Sequence, residues 1–402
     1  MAATKPNQLA FGAKREHHGA PQNLGCALVA LTTAAMALPA FSVNQPTETS
    51  VALRSSVYQE DPIKNGDETI LFGSADRYKI KINQFYLERP VGSDWALNLN
   101  YSNEAMSGAS PWGASVDSAG DQQVIMSGAS IDDSRNKLEG SLTKYSDNAA
   151  WSVSVGGSRE HDYRSNYAGF RWINEFFQKN TTLTLDASYA SDTLNPTDAS
   201  LYGRVVKASK QSRSLAVGVS QILSRKQIVQ LGYGLTKRAG FLSDPYKLRD
   251  VRPDNRIEHR LTAGYLHYVE AAASRVRAEY RYYWDSYDLE AHTVELSILT
   301  PILDRWEIEP GIRRYQQSAA SFFTLGDLYD RPLSLPQSSD FRLSAFGALS
   351  TKLAINYKQD ALKIGLQYER YRSKPSWGLS GRDAHVALLG YELLSLGIQL
   401  KF

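Results

Sequence analysis

From residue 51 onward, apolar and polar residues alternate with period two along most of the chain. Trp95, Leu97, Leu99 and Tyr101 alternate with Ala96, Asn98, Asn100 and Ser102. Leu183, Leu185, Ala187 and Tyr189 alternate with Thr182, Thr184, Asp186 and Ser188, and Val276, Ala278, Tyr280, Tyr282 and Trp284 with Arg277, Glu279, Arg281 and Tyr283. Successive side chains on a strand point to opposite faces, so each stretch predicts a strand with one apolar and one polar face. No comparable helical period is present. Sixteen such stretches run from 51–58 to 392–402; the fourteenth, 340–358, is overlong and is expected to bulge or to extend beyond the rest.

The links between the stretches alternate in length. Short ones fall at 89–93, 147–149, 177–180, 223–226, 270–274, 301–304 and 359–360, and long ones at 59–77, 104–135, 191–210, 238–256, 317–339 and 373–391. Only 161–164 and 286–290 are short where a long link is due. Short turns at one end and long loops at the other are what a bacterial outer-membrane barrel shows, and a soluble sandwich has no reason to keep that rhythm. Trp95, Trp151 and Trp306 open strands on the short-turn side, while Tyr101 and Trp284 lie near the long-loop side, as two interfacial girdles require. The final stretch alternates through Leu394, Leu396, Ile398 and Leu400 to Phe402. A terminal aromatic on the lipid face resembles the signal that the barrel-assembly machinery reads. The expected fold is all-β: a transmembrane antiparallel barrel of about 16 strands, with short periplasmic turns and long extracellular loops, embedded in outer-membrane lipids.

Composition adjusts this picture only at the margins. A mean hydropathy of −0.38 would suit a soluble protein, yet a barrel needs only alternate residues to be apolar. The 23 Tyr and 7 Trp suit rings held half in hydrocarbon and half in water. At the amino terminus, Lys14, Arg15, His17 and His18 precede the apolar run Leu24–Leu38 and the small residues before Pro39-Ala40. This is the pattern of a signal peptide over 1–40, cleaved after Ala37 or Ala40 to leave a barrel domain over 41–402. Cys26 stands near the start of the apolar run, most of which comes after it, which does not suit lipid attachment. Loss of the signal removes the single Cys and leaves 42 basic against 41 acidic residues. Disulfide and thiolate chemistry then have no residue to use, and no block of like charge offers a nucleic-acid surface.

Three stretches carry a family resemblance: Ser107–Ala114 (SGASPWGA), Ile312–Phe323 (IRRYQQSAASFF) and Ser339–Ala348 (SDFRLSAFGA). Together they resemble the bacterial outer-membrane barrel family catalogued as domain of unknown function 3570, over most of the mature chain. Ser321 stands where the family pattern carries an acidic residue, and Trp112 where it carries a polar one. The resemblance implies a barrel fold and a location in the outer membrane. Genes of the family tend to sit near a small lipoprotein, a thioredoxin-like protein and a flavin transferase, which makes the first two candidate periplasmic partners. It supplies no catalytic residues.

Strand parity names the candidate site. With Val276, Ala278 and Tyr280 facing lipid, Arg277, Glu279 and Arg281 face the interior, joined by Glu295 from the next strand and by Glu307, Glu309 and Arg313 from the one after. Such a ladder either lines a selective pore or braces the lumen by mutual pairing. Sixteen strands leave room for an aqueous channel unless loops occlude it, and 104–135 and 317–339 are long enough to fold in. Oxygen ligands near Gly108–Gly113 (Glu104, Asp117, Asp121, Asp132 and Asp133) suit calcium in kind but match no EF-hand spacing, and the ordinary turn-rich loop is the expected reading. His161, His259, His267, His292 and His385 are scattered without metal-ligand spacing. His161-Asp162 is an adjacent His–acid pair, but neighbours on a strand point opposite ways. No catalytic, cofactor or metal site is therefore expected, and no enzymatic activity. The leading expectation is a passive conduit for small solutes. The alternative is a docking barrel that anchors a redox-linked periplasmic complex, and an outer-membrane hydrolase ranks last.

Overall fold

All sixteen alternating stretches are wall strands of one closed barrel in the computed structural model, which describes residues 43–63, 70–127, 131–380, 385 and 387–402. The signal peptide expected over 1–40, Cys26 included, lies outside the described residues. The wall is built from β1 (Ser50–Glu60), β3 (Lys79–Val91), β4 (Trp95–Gly108), β7 (Ile131–Tyr145), β8 (Ala149–Arg159), β9 (Tyr163–Phe176), β10 (Thr181–Leu194) and β11 (Ala208–Ser224). It continues through β12 (Gln227–Gly240), β13 (Asn255–Val269), β14 (Ser274–Asp285), β15 (Glu290–Leu303), β16 (Trp306–Gln317), β17 (Phe346–Gln359), β18 (Leu362–Lys374) and β19 (Gly390–Lys401). Three short strands in the long loops, β2 (Ile70–Phe72), β5 (Pro111–Val116) and β6 (Gln122–Met126), form a separate sheet in the order β2-β6-β5.

Every wall pairing is antiparallel between strands adjacent in the ring. β1 closes it by pairing with both β19 and β3, Leu53 standing opposite Ile398 on one side and Phe85 on the other. A hydrocarbon environment offers no partner to a free N–H or C=O, and a closed antiparallel sheet leaves no edge to satisfy. Register carries the alternation around the barrel, because outward residues stand opposite outward residues on each neighbouring strand. Leu53, Leu138, Val153, Val155, Leu215, Leu231, Val294 and Leu396 are exposed on the outer surface, the apolar band that a lipid-facing wall requires.

Aromatic rings mark both rims of that band. At the short-turn end the Trp306 and Tyr357 rings lie 5.1 Å apart. At the other end His259 stacks on Trp284 at 4.8 Å and 5°, Tyr282 stacks on Trp284 at 5.1 Å, and His292 stacks on Tyr282 at 4.9 Å. Two of the scattered histidines thus belong to a girdle on the outside of the barrel.

The fourteenth stretch is shorter as a strand than the 340–358 expected. β17 starts at Phe346, because Asp340 accepts the Arg342 N–H and opens a 3₁₀ turn over Phe341–Leu343. That turn sends Phe341 and Leu343 into buried clusters instead of along the wall. The long loops as a group behave this way. Ile63, Ala109, Val124, Met126, Phe341 and Ala387, from four loops, share one buried cluster, while Tyr287, Leu289, Ala291, Ala320, Phe322 and Leu343 form another. They make a folded cap over the long-loop mouth.

Candidate functional site: the capped lumen

Beneath the cap lies a cavity of about 1180 Å³. Its walls are the inward faces of the strands and its roof includes Pro111, Tyr246, Lys247, Phe341 and Arg342 from the loops. Of the residues singled out by strand parity, Arg277, Glu279, Arg281, Glu295, Glu309 and Arg313 line it. Glu307 faces inward nearer the short-turn end, where it accepts a 2.6 Å bond from Lys358 Nζ.

The inward charges are largely paired with one another. Arg277 and Arg281 donate to the two carboxylate oxygens of Glu279 at 3.1 and 3.0 Å. Arg313 donates to Glu369 at 2.9 Å, and Ser350 donates to the same oxygen at 2.5 Å. Arg171 meets Asp186 at 2.5 Å, Arg238 meets Glu258 at 2.9 Å, and Lys352 lies 3.6 Å from Glu309. Glu295 stands opposite Glu279 on β14 and Arg313 on β16. Arg54 and Arg260 also line the cavity, and among the described residues neither has a carboxylate within salt-bridge distance. Glycine at 234 makes room for Arg260, whose Nη2 would lie only 3.2 Å from an added Cβ. The lining comprises eleven Lys and Arg against eight Asp and Glu, so its balance is positive.

The roof is held by a different kind of network. Asp340 is 1% exposed. It accepts from Arg252 Nη2 at 2.8 Å and from Arg342 Nε at 2.8 Å, with Lys247 Nζ 4.0 Å away. Burial pushes its carboxyl up, but the Arg342, Lys247 and Arg252 charges outweigh this and hold it well below the usual carboxylate range. Arg252 also reaches Asp250 at 2.9 Å, and Arg342 reaches Asp244 at 2.9 Å. One carboxylate therefore ties the 318–345 loop to the 241–254 loop. Backbone bonds extend the tie: Leu248 N–H donates to Trp112 O, and Asp327 N–H to Ala114 O, both at 2.8 Å. The cap joins the wall through Arg77, which donates to Glu60 at 2.8 Å and to Ala387 O at 2.8 Å.

His385 sits within this roof, 4% exposed. Its Nδ1 accepts from Ala387 N–H at 3.1 Å and its Nε2 lies 3.0 Å from Ser339 O, an arrangement that suits one neutral tautomer. Desolvation pushes its pKa down to about 4. His161 is exposed whereas its neighbour Asp162 is 3% exposed, so this adjacent His–acid pair points in two directions. At the opposite mouth, Val43 packs against Ala150 and Ile173, and its N–H donates to Glu175 at 3.2 Å. Phe402, the expected assembly signal, closes the ring through reciprocal backbone bonds with Thr49 at 2.8 and 2.9 Å.

Strand parity reached the wall charges but not Asp340, Arg252 or Arg342, whose association depends on loop packing. The stretch Ser339–Ala348 had stood out by family resemblance alone, without any sign of its polar contacts.

Residues 28–393 match the family described as "Protein of unknown function (DUF3570)". No curated protein matches the chain. Among solved structures, the chain is similar to a protein titled "Bacterial polysaccharide outer membrane secretin", with a TM-score of 0.51 and 7% identity, covering 90% of this chain and 100% of that one. It is also similar to CdiB from Acinetobacter baumannii (TM-score 0.49, 8% identity, 89% of this chain and 60% of that one). An outer-membrane protein of Vibrio cholerae, OmpT lacking loop L8, gives a TM-score of 0.41 at 9% identity, covering 88% of this chain and 98% of that one. At 7% identity the first likeness is one of fold alone: an outer-membrane-type β-barrel.

Proposed function

This chain belongs to the DUF3570 family, and we propose that it is a passive conduit of the bacterial outer membrane for small polar solutes, favouring anions and closed at its outer end by the loop cap. The observation that carries this reading is the cavity of about 1180 Å³ with a positive lining, where among the described residues Arg54 and Arg260 have no carboxylate within salt-bridge distance. A lumen serving only as a brace would pair its charges and fill its volume. A cationic, water-sized passage instead attracts anions and concentrates them through its low-dielectric walls. Passage requires the roof to lift, which breaks the ion pairs and hydrogen bonds that hold it to the wall, Arg77–Glu60 and Arg370–Asp61 among them. The mechanism is diffusion past fixed charges, without covalent chemistry.

Planar-bilayer recordings on the refolded chain test this. Brief openings with anion preference are expected, and replacing Arg54 and Arg260 together by Glu should turn the preference toward cations. A chain that conducts neither as wild type nor after Asp340→Ala, which should release the roof, would remove the conduit reading.

A further inference from the structure

Beside the cavity, at the rim where wall meets cap, Asp133 of β7 approaches Glu160 and Asp162 of the short link between β8 and β9. One carboxylate oxygen from each lies within 4.8 Å of the others. Glu104 of β4 stands next to them and is itself held by Arg135 at 2.9 Å. Three further carboxyl groups thus gather around one cation already engaged.

Two observations separate this from an ordinary acidic cluster. Asp162 is 3% exposed; its Oδ2 accepts from the Tyr246 hydroxyl, yet its Oδ1 is buried and receives no hydrogen bond. Both carboxylate oxygens of Glu160 are likewise buried with no donor. Burying a carboxylate oxygen without a donor is costly, and near other carboxylates more so. Burial pushes the Glu160 carboxyl up to about 8, with Arg135 opposing and Asp162, Asp133 and Glu104 adding to the rise. A cation relieves all of this at once.

We propose that Asp133, Glu160 and Asp162 form a binding site for a hard divalent cation, calcium, that fastens the cap to the barrel wall. Calcium takes oxygen ligands at about 2.4 Å, so oxygens up to about 4.8 Å apart fit around one ion. Carboxylates without sulfur or imidazole suit calcium over the softer transition metals. The link to the cap runs through Tyr246, which bonds Asp162 and also accepts from Thr197 N–H at 3.1 Å. The ion would thereby join β7, the β8–β9 link and the 241–254 loop. The site stands whether or not the lumen conducts.

The test uses the full chain folded in detergent, stripped with chelator and titrated with calcium chloride by calorimetry. Terbium offers a second readout, since the Tyr246 ring is placed to sensitise its luminescence. About one calcium per chain is expected, with calcium displacing tyrosine-sensitised terbium. Glu160→Gln and Asp162→Asn, each close in shape to the native side chain, should weaken both signals by more than about tenfold. Heat-modifiable migration in gels should show that these variants remain folded barrels. Asp117→Asn, at an exposed turn, should leave binding unchanged. Failure of the wild-type chain to take up calcium, or wild-type affinity in both site variants, would overturn the proposal, as would loss of binding through Asp117→Asn alone.

Discussion

Wall and cap answer the same problem, charged groups inside a barrel, in opposite ways. In the wall, charges face the lumen and pair with neighbours one strand away: Arg171 and Asp186 keep side-chain exposures of 33% and 30%. In the cap, Arg252 and Asp340 meet at 10% and 0% across 88 residues of sequence. A partly solvated pair can be broken and rehydrated, whereas a dry one leaves a charge with nowhere to go. The solvated pairs of the wall should therefore tolerate loss of single charges, and the dry pairs of the cap should not. If the roof is a gate, that contrast makes it close as a unit.

The strongest break comes at Asp340. Asp340→Ala strips Arg252 and Arg342 of their shared carboxylate, and removing one partner of a buried pair costs about 3–5 kcal/mol. The barrel should still form, because none of its ladder bonds depends on this residue. Limited proteolysis should cut within 318–345 far faster than in the wild type, with wall fragments intact. Equal resistance in the two proteins would show that the buried network does not hold the cap.

Next is the apolar core of the roof. Met126 is fully buried among Ile63, Ala109, Val124, Phe341 and Ala387. Met126→Ala should cost about 2–5 kcal/mol of local stability, read as faster amide exchange in the loops and unchanged exchange in β13–β15. A matching truncation on the lipid face, such as Leu231→Ala, loses only contact with acyl chains and should leave the cap's exchange untouched.

These two regions also differ in how far they can be read from residues alone. Period-two alternation is local, so the sixteen wall strands, their parity and the inward placement of Arg277, Glu279, Arg281 and Arg313 follow from neighbours in the chain. Alternation ends where the wall ends, and Asp340, Phe341 and Leu343 continued it by chance into what became a 3₁₀ turn. Cap contacts join residues far apart in sequence, such as Arg77 with the Ala387 carbonyl across 310 positions. No periodicity reports them. The grouping of Asp133 with Glu160 and Asp162 is hidden for the same reason: β8 lies between them and returns the chain to the same rim. His259 and His292 looked isolated because stacking partners such as Trp284 and Tyr282 lie on an adjacent strand.

A smaller effect should come from pH acting on His385. Its folded value near 4 lies below the ordinary 6.5 because burial disfavours the charged ring, Lys247 and Arg77 add to the depression, and Asp340 and the Ser339 carbonyl oppose it. A base depressed in the folded state contributes stability that is complete above its unfolded pKa and is lost as pH falls toward the folded one. Cap protection against protease should thus decline between about pH 6.5 and 4, whereas the wall, held by backbone ladders, should not respond. His385→Gln keeps a donor and an acceptor but does not titrate, and it should flatten this dependence. A decline that survives the substitution would assign the acid sensitivity elsewhere.

The smallest effect belongs to the wall itself. Lys358 and Glu307 meet at 2.6 Å near the short-turn end, with side chains 44% and 16% exposed, and Arg275 lies 3.9 Å from the same Glu307 oxygen. Water solvates Lys358 before and after the pair is lost, and Arg275 remains as a second cation. A double-mutant cycle with Lys358→Ala and Glu307→Ala, measured by denaturant unfolding in detergent, should give a coupling below about 1 kcal/mol. Raising the salt should shrink it further, since screening acts on charges that water can reach. A coupling as large as that expected at Asp340 would mean that the short-turn end of the lumen is as dry as the roof. The distinction between a braced cap and a solvated wall would then fail, and with it the case for a water-filled passage below the gate.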